Sequence, residues 1–231
     1  MRKTVLLCLT TFTLLFPLSS LHAQGRNIHF FGSYDRSFGN ITASVSSSLG
    51  DIQHDEVSKL KDGSVNQFEF GAFFNSFGVG VIHNSYAADA TTTYQNYDMN
   101  GDGRLDNGML GDKLRLKFTG LEVLYKKAIL GSRFDVLGRM ALGIQSYSID
   151  KTTEILGNDP SDYNQKLTGS IFTGLIGAGF DYRINKIVSI GIETSVLPGK
   201  YKKLKDKNSA GYIYEDNVSR LSTGLKLTLT L

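Results

Sequence analysis

The chain ends Arg220-Leu221-Ser222-Thr223-Gly224-Leu225-Lys226-Leu227-Thr228-Leu229-Thr230-Leu231. Leu221, Thr223, Leu225, Leu227, Leu229 and Leu231 share one parity, and Arg220, Ser222, Gly224, Lys226, Thr228 and Thr230 share the other. A period of two is the mark of a strand. A strand this rich in leucine and free of proline would aggregate as an open edge in water, so it must be paired on both sides and lie against apolar surroundings. That is the situation of a strand that closes a barrel.

The same alternation recurs in seven earlier segments, at about 27–38, 66–74, 77–86, 112–125, 134–145, 172–182 and 188–196. Short connections (Asn75-Ser76, 126–132 and 183–186) alternate with long polar ones (39–65, 87–111, 149–165 and the lysine-rich stretch from Lys200). Long and short in turn is the signature of an up-and-down membrane barrel, and an even strand count puts both termini at the end of the short turns. Two irregularities stand out. Phe31 breaks the alternation of the first strand, and the fourth changes phase: Leu114, Leu116 and Phe118 share a face, but beyond Thr119-Gly120 the apolar set becomes Leu121, Val123 and Tyr125. A bulge at Gly120 would restore one outer face and turn Glu122 inward.

Alternation alone does not say which face is inside. An eight-stranded barrel has an interior barely wide enough for side chains, and the apolar faces here would overfill it. The Gly, Ser and Thr of the other face, with a few charges of both signs, fit. The expected lumen therefore holds Glu69, Glu122, Asp135 and Glu193 paired with Arg139, Arg220, Lys226 and Lys117, because buried charge is costly unless matched. Phe30, Phe74, Phe77, Tyr125, Phe134, Phe180 and Tyr182 fall near the short-turn end, where an aromatic girdle belongs.

Ser222, Gly224, Leu227 and Leu229 resemble the C-terminal insertion signal of bacterial outer-membrane barrels, and the mature chain is similar to the small OmpA/OmpX-like, "porin family" barrels of the Bacteroides group. The resemblance implies an all-β, eight-stranded antiparallel up-and-down transmembrane β-barrel in the outer membrane with both termini in the periplasm. It also implies contacts with outer-membrane lipid, lipopolysaccharide, the barrel-assembly machinery and a surface protein or host ligand. The expected role is structural or interactive, through long outward loops and with a filled lumen. A small diffusion channel and a lipid A-modifying enzyme remain as alternatives.

Residues 1–23 read as a secretory signal peptide, with Arg2 and Lys3 followed by an apolar run and a small residue at Ala23. The barrel domain is then 24–231. Cys8, the only cysteine, lies in the leader, so no disulfide is expected in the rest. Outside the leader the 22 acidic residues nearly balance the remaining basic ones, and nothing in the charge favours nucleic acid.

Two stretches suggest ligands. Asp98, Asn100, Asp102, the Arg104 carbonyl and Asp106 fall at positions one, three, five, seven and nine of an EF-hand-type calcium loop, with glycine at six. Met109 stands where the twelfth-position carboxylate belongs, and the alternative is an Asp/Gly-rich turn. Lys200, Lys202, Lys203, Lys205 and Lys207, interleaved with Tyr201 and Leu204, form a basic loop suited to lipopolysaccharide phosphates or simply to solvent. His29, His54 and His83 show no triad spacing, with His83 beside Ser85 the nearest to one, so the chain is expected not to be an enzyme.

Overall fold

The computed structural model describes residues 28–42, 59–98, 103, 105–129, 133–156, 161–206 and 213–231. The expected leader, 1–23, lies outside them. Ten strands form: β1 (Ile28–Ile41), β2 (Asp62–Phe74), β3 (Phe77–Tyr97), β4 (Asp106–Ala128), β5 (Phe134–Leu156), β6 (Ser161–Arg183), β7 (Val188–Leu197), β8 (Lys200–Asp206), β9 (Ile213–Asn217) and β10 (Arg220–Thr230). All pairings are antiparallel. The order runs β5-β4-β3-β2-β1-β10-β7-β6, and β5 also pairs with β6, so these eight close into a ring. The C-terminal strand joins β1 to β7, and Phe30 and Leu231 exchange backbone hydrogen bonds of 3.0 and 2.8 Å at the short-turn end. Closure leaves no ladder edge within the ring, the condition for a sheet to cross a bilayer.

The outward residues of β5 from Phe134 to Ile144 are apolar or Gly138. They cover about 26 Å along the barrel axis at ~3.4 Å per residue and a tilt near 40°, close to the ~25 Å apolar band of an outer-membrane barrel. Phe172, Ile176 and Phe180 continue this belt on β6, Ile190, Ile192 and Val196 on β7, and Leu225, Leu227 and Leu229 on β10. A surface this apolar has lipid as its solvent. Phe77 and Tyr125 (ring centroids 5.1 Å apart) and Phe134 and Tyr182 (5.1 Å) stack on its outer face near the short turns.

Beyond the belt the sidedness reverses. On β3, Val79 and Val81 face out, followed by His83, Ser85, Asp89 and Thr91, while Ile82, Tyr86, Ala88 and Ala90 turn inward. On β5, Ser146 and Asp150 replace the outward aliphatics as Tyr147 and Ile149 go inside. The phase change in β4 has the same cause. Its register with β3 and β5 continues unbroken through Thr119, Gly120 and Leu121, so the expected bulge at Gly120 is absent. Leu114, Leu116 and Phe118 are buried inside, and Glu122 is also inward without any irregularity. The strand leaves lipid for water, and the sign of its amphipathicity inverts.

Most of the connections expected as long loops are therefore strand. β3 runs on to Tyr97, β4 starts at Asp106, β5 reaches Leu156 and β6 begins at Ser161. The lysine-rich segment is likewise a strand, β8, paired with β6 and β9. Between them these elements enclose an apolar core that includes Leu110, Leu114, Leu116, Tyr147, Ile149, Leu167, Tyr201 and Leu204. The lumen is thus layered, where only small and charged residues were expected. Phe31 breaks its strand's alternation because it points inward onto Phe73 (4.8 Å), and with Leu124 and Leu137 it forms an apolar layer at the short-turn end.

If the inversion marks the lipid boundary, two substitutions on the same face of β3 should differ. Val81→Arg, near the middle of the belt, should cost about 2–4 kcal/mol of stability in lipid vesicles, and Thr91→Arg less than about 0.5 kcal/mol. Denaturant titrations read by gel mobility of the folded and unfolded forms check this. Equal costs would contradict the assignment.

Candidate functional site: a charged lumen and its rims

Between the apolar layers lies the largest concentration of buried charge. Strand parity brings Glu69 of β2, Glu122 of β4, Arg139 of β5, Glu193 of β7 and Lys226 of β10 into the lumen. Arg139 is the hub. Its Nη1 binds Glu69 Oε1 and lies 3.5 Å from Glu122 Oε2, while its Nη2 donates to Glu193 Oε2 at 2.8 Å. Lys226 Nζ closes the circuit, 3.2 Å from Glu69 Oε2 and 3.3 Å from Glu193 Oε2. All five side chains are almost completely buried. The guanidinium provides several donors in a fixed fork, so one cation can serve carboxylates arriving from three strands.

Small residues opposite the hub make the space. A Cβ at Gly177 would stand 3.0 Å from Arg139 Cγ and 3.2 Å from Glu193 Oε1. Glu69 is held further by Ser33 Oγ and Gln67 Nε2, both at 2.6 Å.

Arg220 does not join this network as expected. It is buried, but its Nη2 donates to Asn84 Oδ1 and its guanidinium lies 5.2 Å from the Tyr86 ring centroid. Asn84 Nδ2 donates to Gln67 Oε1 (2.9 Å), and Gln67 Nε2 donates to Glu69, so two amides bridge Arg220 to one of the carboxylates of the expected network. Asp135 also pairs elsewhere. With Asp181 it binds Lys126 near the short turns (3.5 and 2.9 Å), and Arg183 Nε lies 3.3 Å from it. Lys117 has the outward parity of β4 and faces away from the lumen. Lys126, Gln67 and Asn84 share the parity of the acids, and parity was the signal by which the sequence could have placed them inside.

At the other end, only part of the expected calcium loop falls on described residues. Asn100, Asp102 and Arg104 lie outside them. Asp98 Oδ2 accepts the Gly103 N–H at 2.9 Å, and Gly103 has φ 83°, the left-handed turn glycine permits. Asp106 Oδ2 is buried without a hydrogen-bond partner in the described protein. Among the described residues no three His, Cys, Asp or Glu side chains converge to hold a metal.

Lys200, Lys202, Lys203 and Lys205 are exposed on β8, anchored by the buried Tyr201 and Leu204. Lys207 and His54 lie outside the described residues. His83 Nδ1 lies 2.8 Å from Thr119 Oγ1, and Ser85 Oγ bonds instead to the Asn66 carbonyl (3.4 Å).

No family model matches the chain, and no curated protein matches it. Solved structures do. Neisserial surface protein A is 12% identical, covering 89% of this chain and 99% of its own, with a TM-score of 0.45. A major outer membrane protein from Thermus thermophilus is 12% identical over 88% of this chain and 99% of its own (TM-score 0.49). The outer membrane protease OmpT from Escherichia coli is 9% identical over 91% and 98% (TM-score 0.45). At these identities the likeness is one of fold. A protease stands among the similar structures, so the expectation of a chain that is not an enzyme is withdrawn: active sites are grafted onto folds rather than dictated by them.

Removing the hub tests the network. Arg139→Met leaves Glu122 without an ion-pair partner and Glu69 and Glu193 to share Lys226 alone, and should cost about 3–5 kcal/mol. Lys126→Met, partly exposed and with Arg183 still beside Asp135 but with Asp181 deprived of its ion pair, should cost less, about 1–2 kcal/mol. Equilibrium unfolding in lipid or detergent measures both, and equal losses would remove Arg139 from its central role.

Proposed function

We propose that this chain is a bacterial outer-membrane barrel with a structural and surface-contact role, its long-strand end standing outside the cell and its termini in the periplasm. The observation that carries this reading is the reversal of sidedness along β3 to β6. Below it the strands are dressed for lipid, and above it they form a water-facing sheet around an apolar core. The contacts would be made by a stiff projecting sheet and the connections at its tip, since binding residues concentrate on loops held by a rigid scaffold. The layered, ion-paired lumen favours this role over solute passage. The exposed lysines of β8 would meet anionic groups of lipopolysaccharide or of a partner.

Orientation is testable with single cysteines in the cysteine-free mature chain. Thr91→Cys should react with a membrane-impermeant maleimide on intact cells, and Lys186→Cys only after the outer membrane is opened. The opposite pattern would overturn the reading, and stable unitary conductance in planar bilayers would replace the filled lumen with a channel.

Within the same projecting end we propose weak calcium binding at Asp98, Asn100, Asp102, Arg104 and Asp106, with Kd of about 10⁻⁴ to 10⁻³ M as for extracellular modules. The support is the Asp98–Gly103 turn and the unpartnered Asp106 oxygen. Calorimetric titration should show binding that Asp98→Ala weakens about tenfold or more. A silent parent protein would end the proposal.

A further inference from the structure

The register of the sheet aligns outward-facing residues of six neighbouring strands in one row. Arg36 of β1 stands opposite Asn66 of β2, Asn66 opposite Ser85 of β3, Ser85 opposite Lys117 of β4, Lys117 opposite Ser146 of β5 and Ser146 opposite Ser170 of β6. Every member is polar, two are cations and none is acidic. The row one step nearer the short turns holds Tyr34, Phe68, Ile144 and Phe172, with His83 and Thr119 between them. The polar row therefore runs along the upper margin of the lipid belt, and at its β1 end it enters the belt. Arg36 is flanked on its own face by Tyr34 and by Phe38, which is 86% exposed. Its position, eight residues beyond Ile28, is about 21 Å up the barrel axis, still within the ~25 Å apolar band.

A guanidinium there needs a counter-charge, and the described residues do not supply one. Neither Arg36 nor Lys117 has an ion-pair partner among the described residues. Two cations higher on the same wall are neutralised: Arg115 binds Asp89 through both terminal nitrogens (2.6 and 3.0 Å), and Lys166 lies 2.5 Å from Asp150. Between Arg36 and Lys117, Asn66 Oδ1 already accepts the Tyr34 hydroxyl (2.8 Å), which leaves the Asn66 amide N–H groups as donors, while the Ser85 hydroxyl is committed to the Asn66 carbonyl (3.4 Å). Long basic side chains at this depth reach for the headgroup layer, and the anion of that layer is phosphate. Arg36 and Lys117 are three strand spacings apart, about 14 Å, too far to share one phosphate.

We propose that this row binds phosphorylated lipid headgroups of the leaflet at the long-strand end. Arg36 and Lys117 each take one phosphate, and Asn66 and Ser146 donate further hydrogen bonds. Directly above Arg36 a groove of about 550 Å³, bordered by Phe38, Asn40, Asp62, Ala87 and Leu221, receives the remainder of the headgroup. The proposal rests on the membrane reading above.

The test uses the full mature protein in nanodiscs of phosphatidylcholine doped with either phosphatidic acid or diacylglycerol, with retained lipids counted by native mass spectrometry. Phosphatidic acid should be retained at least several-fold over its share of the bilayer, and diacylglycerol should not. The enrichment should fall to the bulk ratio in Arg36→Gln/Lys117→Gln and persist in the control Arg133→Gln/Lys186→Gln. Should the double variant fail to fold, Asn66→Ala/Ser146→Ala should still reduce retention at least twofold. No enrichment in the parent, or enrichment untouched by these changes, would overturn the proposal. Inorganic phosphate that displaced the lipid at equal concentration would reassign the row to free anions. Failure to enter bilayers at all would instead refute the membrane reading.

Discussion

A backbone amide in hydrocarbon has no water to bond to, and this requirement shapes the whole chain. Each of the eight ring strands is paired on both sides within the belt, and the ring is completed where β10 meets β1 and β7 and where β5 meets β6. Closure fixes the circumference, the circumference fixes a narrow lumen, and the narrow lumen dictates small or mutually neutralising residues at the level of the bilayer. The apolar outer belt follows from the same cause, since a closed sheet in lipid satisfies its backbone internally and can present only side chains to the acyl chains.

Inside, Arg139 carries a burden that apolar packing could not share evenly. Its partners come from β2, β4 and β7, so besides its ladder neighbour β4 the network ties β5 across the lumen to β2 and β7, strands with which it shares no ladder. Buried ion pairs add little net stability over well-packed hydrophobes but make a missing partner expensive, so such a hub penalises shifted registers more than it deepens the native state. A slip of one residue in any of these strands would turn a carboxylate into lipid and leave the guanidinium unmatched. The amide bridge from Arg220 through Asn84 and Gln67 extends the same constraint upward to the foot of the large apolar core. Layers of Phe31 and Phe73 below and Leu175 and Ile82 elsewhere in the lumen exclude competing solvent from the charges.

Period-two reading made the barrel legible because it depends only on one face differing from the other. It could not tell which solvent lay outside at each height. Leu114, Leu116 and Phe118 match Leu121, Val123 and Tyr125 in hydrophobicity and differ only in parity, and a single outer solvent allowed that to be explained by a bulge. With two solvents the strand needs no irregularity. The same ambiguity hid the far halves of β3 to β6: a strand with Thr91 and Thr93 outside and small alanines inside has the composition of a loop. Lys117 was misplaced for a related reason, since its charge argued for pairing whereas its parity, unbroken from Tyr125, placed it outside. Glu69, Arg139, Glu193 and Lys226 were recoverable because parity and charge agreed.

The reversal also separates the two tasks the chain performs. Within the belt, outward side chains need only be apolar, and the identity of each matters little. Above it, the outward surface of β3 to β6 is exposed to water, backed by a core of leucines and tyrosines, and sealed on one flank by β8 and β9 through Tyr201 and Leu204. Because β1, β2, β7 and β10 stop near the margin of the belt while β3 to β6 continue, among the described residues the projecting sheet rises from one side of the ring only. The side with short strands is also where Arg36, Phe38 and the groove beside them meet the membrane margin. A barrel lengthened evenly would have covered that margin. Uneven strand length therefore both builds the projecting sheet and leaves the headgroup layer access to the wall beneath it.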